Sequence, residues 1–331
     1  MRLQIAGDVT YSEDFSDKID PKVIEVLRDG YSVVNMEGPI TGYRPSARKS
    51  VVISQPPEGA VSLARSGVRA ASLANNHVMD HLARGLMDTI EILDSMGIAH
   101  FGAGRDIVEA SAPLRVGDLS LIGFATTLPP GSEAGPGTPG VSPVRVRCRY
   151  ELDPDEAREQ PGVQPRAECR ADPSDVGRIS RLIRREKDAG RRVVLVAHWG
   201  VANQRSPLRY QRELAKRLVG AGADLIVGAH PHGLVGHEVI GGSHVFYGVG
   251  ALILKPSFSY PLPRTMQSII VRVDVDGDHL NVEPVPIVVE DGYPRAPSSD
   301  EASMVLRTLG WTRSQPPARD RIRSSDDAFP S

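Results

Sequence analysis

Cysteine is scarce in this chain, with two among 331 residues, Cys148 and Cys169. That excludes a centre built on several thiolates, such as a four-cysteine structural zinc or an iron–sulfur cluster. Charge of one sign is also lacking, since 39 Lys and Arg against 41 Asp and Glu leave a formal net charge of -2. No global basic field draws such a chain to nucleic acid or to an anionic membrane, so any polyanion contact must be local. No apolar run approaches the ~20 residues needed to cross a bilayer. Strand character begins directly after Met1, at Arg2-Leu3-Gln4-Ile5-Ala6. The expectation is therefore a soluble, cytoplasmic protein with no leader or anchor and no membrane or nucleic-acid partner. In that compartment Cys148 and Cys169 are expected as free thiols, although a disulfide is geometrically open to them. No internal repeat is found.

What is present is an alternation of short apolar runs with helical patterns, the signature of an α/β fold. Strands are expected at Leu3–Ala6, Ser32–Met36, Ala70–Ala74, Leu119–Thr126, Val193–Ala197, Asp224–Gly228 and His244–Val249. Helices are expected at Lys22–Arg28, Glu58–Ser66, Leu82–Met96, Asp175–Lys187 and Tyr210–Ala221. Ser268–Val275 and Leu280–Val289 flank Asp276-Gly277-Asp278 and read as a hairpin that closes the sheet. Residues 1–293 form one expected domain, interrupted at about 128–175 by a segment rich in Pro, Gly, Arg and Glu that reads as an insertion or lid. Residues 294–331 read as a partly disordered extension, with a short helix at Asp300–Leu309.

Five segments place metal-ligand side chains just after apolar runs: Gly7-Asp8-Val9, Asn35-Met36-Glu37-Gly38-Pro39, Ala74-Asn75-Asn76-His77, Ala197-His198-Trp199-Gly200 and Gly228-Ala229-His230-Pro231-His232. In α/β sheets, ligands gather beyond the carboxyl ends of strands, where loops let side chains converge. Carboxylates, an amide and imidazoles in one set suit hard and borderline divalent cations.

In this order the segments resemble the CapA-type proteins of bacterial poly-γ-glutamate capsule synthesis, within the calcineurin-like metallophosphoesterase superfamily. The resemblance runs from about Leu3 to about Val289 and includes Gly102-Ala103-Gly104, Gly222-Ala223-Asp224 and Phe246-Tyr247-Gly248. It implies a metallophosphatase-like two-sheet sandwich flanked by helices, with two divalent ions at the strand ends; Mn, Zn, Fe and Ca are not distinguished. It makes Asp8 and His232 ligands of a first metal, Glu37 a bridge, and Asn76, His198 and His230 ligands of a second. His77 stands beside them as acid/base. Asp80 either orients that imidazole or caps the helix near Leu82.

The chain also departs from the family pattern. Asp8-Val9-Thr10 replaces Asp-x-His, Val201-Ala202-Asn203 lacks the acidic residue usual after His-Trp-Gly, and Val249-Gly250-Ala251-Leu252 replaces Leu-Gly-Asn-Phe. The arginine usual after the first Gly-Asp segment is missing too. Metal holders persist while groups expected to face substrate have changed. Trp199 reads as pocket wall or core filler. Arg145, Arg147, Arg149, Arg166 and Arg170 read as solvated loop surface or as an anion-gripping lid, with Lys255 and Arg264 as similar candidates. His81, His100, His237, His244 and His279 read as structural, His237 being near enough to His232 to support it.

The leading functional expectation is a metal-dependent enzyme on a peptide-like or other carboxylate-bearing substrate. Epimerisation at an α-carbon comes first, because relatives of this fold include lasso-peptide epimerases, and amide hydrolysis is close behind. The alternatives are a dinuclear phosphoesterase and a non-catalytic protein that binds carboxylates or peptides.

Overall fold

The computed structural model describes residues 1–256, 263–277 and 279–311. Strand Arg2–Thr10 runs through the middle of an eight-stranded sheet. It pairs in parallel with Tyr31–Met36 and with Ala251–Leu254, and antiparallel with Thr265–Asp276. A six-stranded sheet holds Leu119–Ala125, Arg192–His198, Leu225–Ala229 and Ser243–Val249 in mutually parallel order. These parallel strands are continuous apolar runs because both of their faces are covered.

The sheets are stacked. Leu3, Ile5 and Val33 of the first share a buried cluster with Leu121, Val194, Val196, Val227 and Phe246 of the second. On the outer face of the first sheet, Val23, Leu27, Leu63, Leu86, Ile90 and Leu93 seat helices Pro21–Arg28, Glu58–Ser66 and Leu82–Ser95. Ile179, Ile183, Leu214 and Leu218 seat helices Pro173–Asp188 and Arg209–Gly220 on the second. The helix starts follow local chemistry: Asp20 and Asp172 each cap a helix whose first residue is proline, accepting backbone N–H bonds at 2.9 Å. The layers are thus helix, sheet, sheet, helix.

The segment at 128–175 departs from its expected loop character. Its first part returns to the core, with Val144 and Ser142 fully buried. Strands Val146–Glu151 and Arg166–Ala171 then pair antiparallel as an arm around the short helix Pro154–Glu159. Cys148 and Cys169 sit opposite each other in that register and are joined by a disulfide, with sulfurs 2.01 Å apart. This corrects the expectation of free thiols. Cross-strand register, invisible to a compartment argument, brings the two side chains together. Strand Leu234–Ile240 was also not expected, since glycine at 236 and histidine at 237 interrupt its apolar pattern.

The late hairpin is present, with Thr265–Asp276 paired along its length to His279–Glu290, and it extends the first sheet outward from Arg2–Thr10. Asp278 of its turn lies outside the described residues. The last helix spans Ser299–Leu309, set by a capping box of Ser298 and Glu301. Residues 312–331, the tail expected to be disordered, lie outside the described residues as well.

One close approach governs where the site begins. The register of Arg2–Thr10 shifts against both parallel neighbours around Asp8, a local irregularity of the kind that re-aims a side chain. Just before it, a Cβ on Gly7 would fall 1.8 Å from the carbonyl oxygen of Gly250. Gly7→Ala must therefore push the strand away from the Gly250 link, and should cost at least about 1–3 kcal/mol, the usual range for overpacking. A urea unfolding midpoint equal to that of the unaltered protein would show that the strands have slack there.

Candidate metal centre

Each donor leaves the end of a strand. Asp8 is completely buried near the end of Arg2–Thr10, Glu37 follows Tyr31–Met36, and His198 ends Arg192–His198. His230 and His232 follow Leu225–Ala229 in left-handed backbone, with φ of 95° and 59°. Non-glycine residues hold that conformation at a cost and cluster at functional sites. Here it turns two imidazoles, spaced by Pro231, back toward Asp8.

The side chains converge into two groups that share Glu37. Asp8, Glu37 and His232 offer ligand atoms within 4.8 Å of one another, and so do Glu37, His198 and His230. Asn76 joins the second group through its Oδ1, 2.8 Å from His198 Nε2. His232 Nδ1 lies 2.9 Å from Asp8 Oδ2 and 3.5 Å from Glu37 Oε2, while His198 Nε2 lies 3.7 Å from Glu37 Oε1. All six residues that the resemblance implies as ligands are thus in one place.

The decisive observation is what Glu37 lacks. Both of its carboxylate oxygens are buried and have no hydrogen-bond partner, and His230 Nδ1 is equally unpartnered. A buried carboxylate with no hydrogen-bond donor, facing the ring of His232 at 3.5 Å, is costly, and native proteins satisfy such groups or use them to coordinate metals. Orphaned oxygen and nitrogen donors in two overlapping triads are a donor set that would suit divalent cations.

Electrostatics point the same way. Burial holds His198 well below its ordinary pKa and pushes His230 down to about 4, so both rings are neutral, as metal ligands must be. Burial, and then the charge of Asp8, push Glu37 up, although His232 opposes the rise. Burial works against a charged His232, but Glu37 and Asp8 beside it overcome this and raise it to about 9. Without metal, Glu37 and His232 thus hold protons that cations would displace.

A second cluster adjoins the first. His77 Nδ1 lies 2.6 Å from Asp80 Oδ2, whose carboxylate is fully buried and also accepts from the backbone of Ile53. Asp80 does not cap the following helix, which starts at His81 without a side-chain cap. Lys49 Nζ bonds Asp80, lies 3.2 Å from His77 Nδ1 and donates to the Asn76 carbonyl at 2.7 Å. Burial holds His77 below its ordinary value, against the opposing pull of Asp80. Its ring lines a cavity of about 260 Å³ with Thr10, Glu37, Asn76, His230 and His232, walled by Val51, Ile53, Leu254 and Pro256.

Three contributors escaped sequence reasoning. Asn35 Nδ2 donates to Asp8 Oδ1 at 2.7 Å and lies 3.2 Å from His198 Nδ1, tying two ligands together. Its signal was a polar residue inside an apolar strand. Asn75 fixes the turn before His77 through its Oδ1, which accepts from the backbone of His77 and Val78. Lys49 sits in an irregular stretch and carried no signal.

Other expected residues lie elsewhere. Trp199 is wholly buried, stacked on Tyr247 and donating to its carbonyl, so it fills the core behind the centre. Arg145 forks onto Asp175 and Arg147 reaches Asp172, both outside the cavity. Lys255 and Arg264 are drawn to Asp291, and neither lines the cavity. His237 pairs with His244 in a ring cluster with Phe246 and Trp311.

Comparison with known proteins now adds to this geometry. The family model described as bacterial capsule synthesis protein PGA_cap matches residues 3–256, which include every ligand above. Capsule biosynthesis protein CapA of Bacillus anthracis is 26% identical over 258 residues, covering 76% of this chain and 56% of the relative. PGA biosynthesis protein CapA of Bacillus subtilis is 26% identical over 290 residues, covering 84% and 67%. A probable polyglutamine synthesis accessory protein of Mycobacterium tuberculosis is 28% identical over 233 residues, covering 70% and 57%. The chain spans from about half to two thirds of the length of such curated relatives.

Two outcomes check the centre. Glu37→Gln should lower bound divalent metal, measured by elemental analysis after loading and desalting, without unfolding the protein; unchanged metal content would remove Glu37 as a ligand. In metal-free protein, Glu37 and His232 bind protons more tightly when folded than when unfolded. Their contribution to stability is fully present below the unfolded values and is lost as pH rises through the folded ones; the depressed His198 and His230 oppose it below about 6.5, so metal-free protein should lose stability as pH rises from about 6.5 to about 9. Metal loading should flatten that decline in urea midpoints, whereas a metal-free midpoint that rises across the span would contradict it.

Proposed function

This chain belongs to the family of the bacterial capsule synthesis protein PGA_cap, and from that premise we propose that it is a metal-dependent enzyme acting on a peptide-like, carboxylate-bearing chain. The supporting observation is the unpartnered Glu37 carboxylate between two ligand groups, with a His–Asp pair facing the same cavity. When bound, divalent cations there would polarise a carbonyl and stabilise negative charge developing on it. Asp8, Glu37 and His232 would hold one, and Glu37, Asn76, His198 and His230 the other.

The residues of the chain then carry the proton. Asp80 fixes His77 through Nδ1, so Nε2 is the ring nitrogen turned away from that carboxylate and toward a bound substrate. Lys49 and the Ile53 backbone hold Asp80 in turn, so the imidazole keeps one orientation. A neutral histidine so placed accepts a proton, which supports abstraction from an α-carbon beside a polarised carbonyl, and hence epimerisation. Apolar Val51, Ile53 and Leu254 narrow the cavity and limit water around the exchanging proton.

Amide hydrolysis is the second reading, favoured by the sharing of Glu37 between two ligand groups, since paired cations also lower the pKa of water. Phosphoester hydrolysis is less well supported. Among the described residues the cavity is lined by no arginine, and its lysine is already engaged by Asp80. A phosphate dianion would then rest on the metals alone.

The reading is tested by incubating metal-loaded protein with glutamate oligomers and other candidate peptides in deuterium oxide, followed by mass and chiral analysis. Deuterium at an α-carbon without cleavage is expected, and should fall by about 10²-fold or more in His77→Ala, within the range of a lost acid/base group. Cleavage with a gain of water would select hydrolysis. Turnover of an aryl phosphate ester, with no change in any peptide, would overturn the peptide reading. Ligand affinity that survives chelation, without turnover, would indicate a binding protein instead.

A further inference from the structure

A second concave surface lies away from the metal centre. The disulfide-joined arm and helix Arg209–Gly220 enclose a groove of about 700 Å³ that shares no lining residue with the cavity in front of His77. Arg147, Arg149 and Arg170 of the arm and Arg209 and Arg217 of the helix line it, against the three carboxylates of Glu168, Asp172 and Glu213. In a chain of formal net charge -2, this is a local excess of positive charge.

The arrangement holds that charge together against its own repulsion. Arg147 and Arg170 are directly opposite in the antiparallel register, a pairing that is unfavourable for like charges. The adjacent Cys148–Cys169 bond fixes the register that keeps them there. The internal carboxylates offset only part of the excess: Glu168 bonds Arg170, Asp172 meets Arg147 and Glu213 bonds Arg209. Arg149 turns to Glu151, and Arg217 has no ion-pair partner among the described residues. Tyr210 forms part of the wall and its hydroxyl accepts the Gly200 N–H at 2.7 Å, so the groove backs onto the turn just after His198.

We propose that this groove is a binding site for an acidic, carboxylate-bearing polymer, gripped by the guanidinium groups of Arg147, Arg170 and Arg217 at a distance from the metal centre. Repeated carboxylates match it in two ways. Each can take a guanidinium fork, and a chain of them can answer several arginines at once. An incoming carboxylate would also relieve the repulsion between Arg147 and Arg170. The identity of the polymer rests on the substrate class proposed above, but the binding itself does not depend on turnover.

The test uses the full chain and fluorescently labelled polyglutamate, with anisotropy followed over a range of salt. Saturable binding is expected, with affinity falling as salt rises. Arg170→Glu with Arg217→Glu should weaken it about tenfold or more, equivalent to about 1.4 kcal/mol, while circular dichroism and the unfolding midpoint stay near those of the unaltered protein. Cys148→Ser with Cys169→Ser should weaken it as well, by freeing the arm. Asp8→Asn should leave it intact, and polymer binding by metal-loaded protein that turns over no peptide would count against the metal-centre reading alone. Undiminished binding in the arginine double variant, or equal binding of a single-stranded oligonucleotide of matched charge, would overturn the proposal.

Discussion

A buried carboxylate with two bare oxygens is the constraint on which the rest of this protein turns. Glu37 sits at the end of a central strand where water is excluded, and no backbone amide or side chain hydrogen-bonds to it. Folding places it there at a cost that only cations or protons can offset. The same burial explains why His198 and His230 remain neutral, while the carboxylates of Glu37 and Asp8 keep His232 charged. Two rings are isolated by burial, and the third is caught between two carboxylates. Local electrostatics thus prepare one set of neutral nitrogen donors and one set of anionic oxygens around a shared residue.

Holding this arrangement requires both sheets. Asp8 and Glu37 come from the first, His198 and the His230–His232 pair from the second, and Asn35 crosses between them by contacting Asp8 and His198. The stacked aliphatic cluster of Leu3, Ile5, Val194 and Val227 therefore does more than stabilise the fold, because any slip between the sheets would separate the ligands. The Gly7–Gly250 approach serves the same end, because Gly250 links a strand of the second sheet to one of the first. Packing sets the positions of the donors, and the donors in turn have nowhere to relax.

Much of this was legible in the sequence because it follows from strand periodicity and from residue types placed just beyond it. Parallel strands write themselves as apolar runs, and Asp8, Glu37, Asn76, His198, His230 and His232 stood at their ends. What was not legible depended on contacts between distant segments. Lys49 acts through Asp80, thirty-one residues away, from a stretch with no periodicity. The Cys148–Cys169 bond depends on a local strand register that proline- and glycine-rich text concealed, and an inference from compartment gave the opposite expectation. Arg145 looked like a lid residue by composition, yet its geometry serves Asp175 at the start of a helix.

Most departures of this chain from its family pattern fall on the rim of the site, with Thr10, in place of a histidine two residues beyond Asp8, the exception. The ligands lie on strands and at their immediate ends, where the surrounding core constrains them. The cavity walls come largely from irregular segments, with Lys49, Ser50, Val51 and Ile53 on one side, Ala202 and Pro256 on others, and Leu254 at the end of its strand. Departures such as Val201-Ala202-Asn203 and Ala251-Leu252 fall in or next to those walls. Loops tolerate substitution because fewer packing constraints act on them, whereas changing Glu37 or His198 would leave the remaining donors buried and unmatched. Substitutions can therefore accumulate in the walls while burial constrains the donors behind them. On that physical ground, the buried donors carry little information about what the cavity meets, and the shape and charge of the surrounding surface carry most of it.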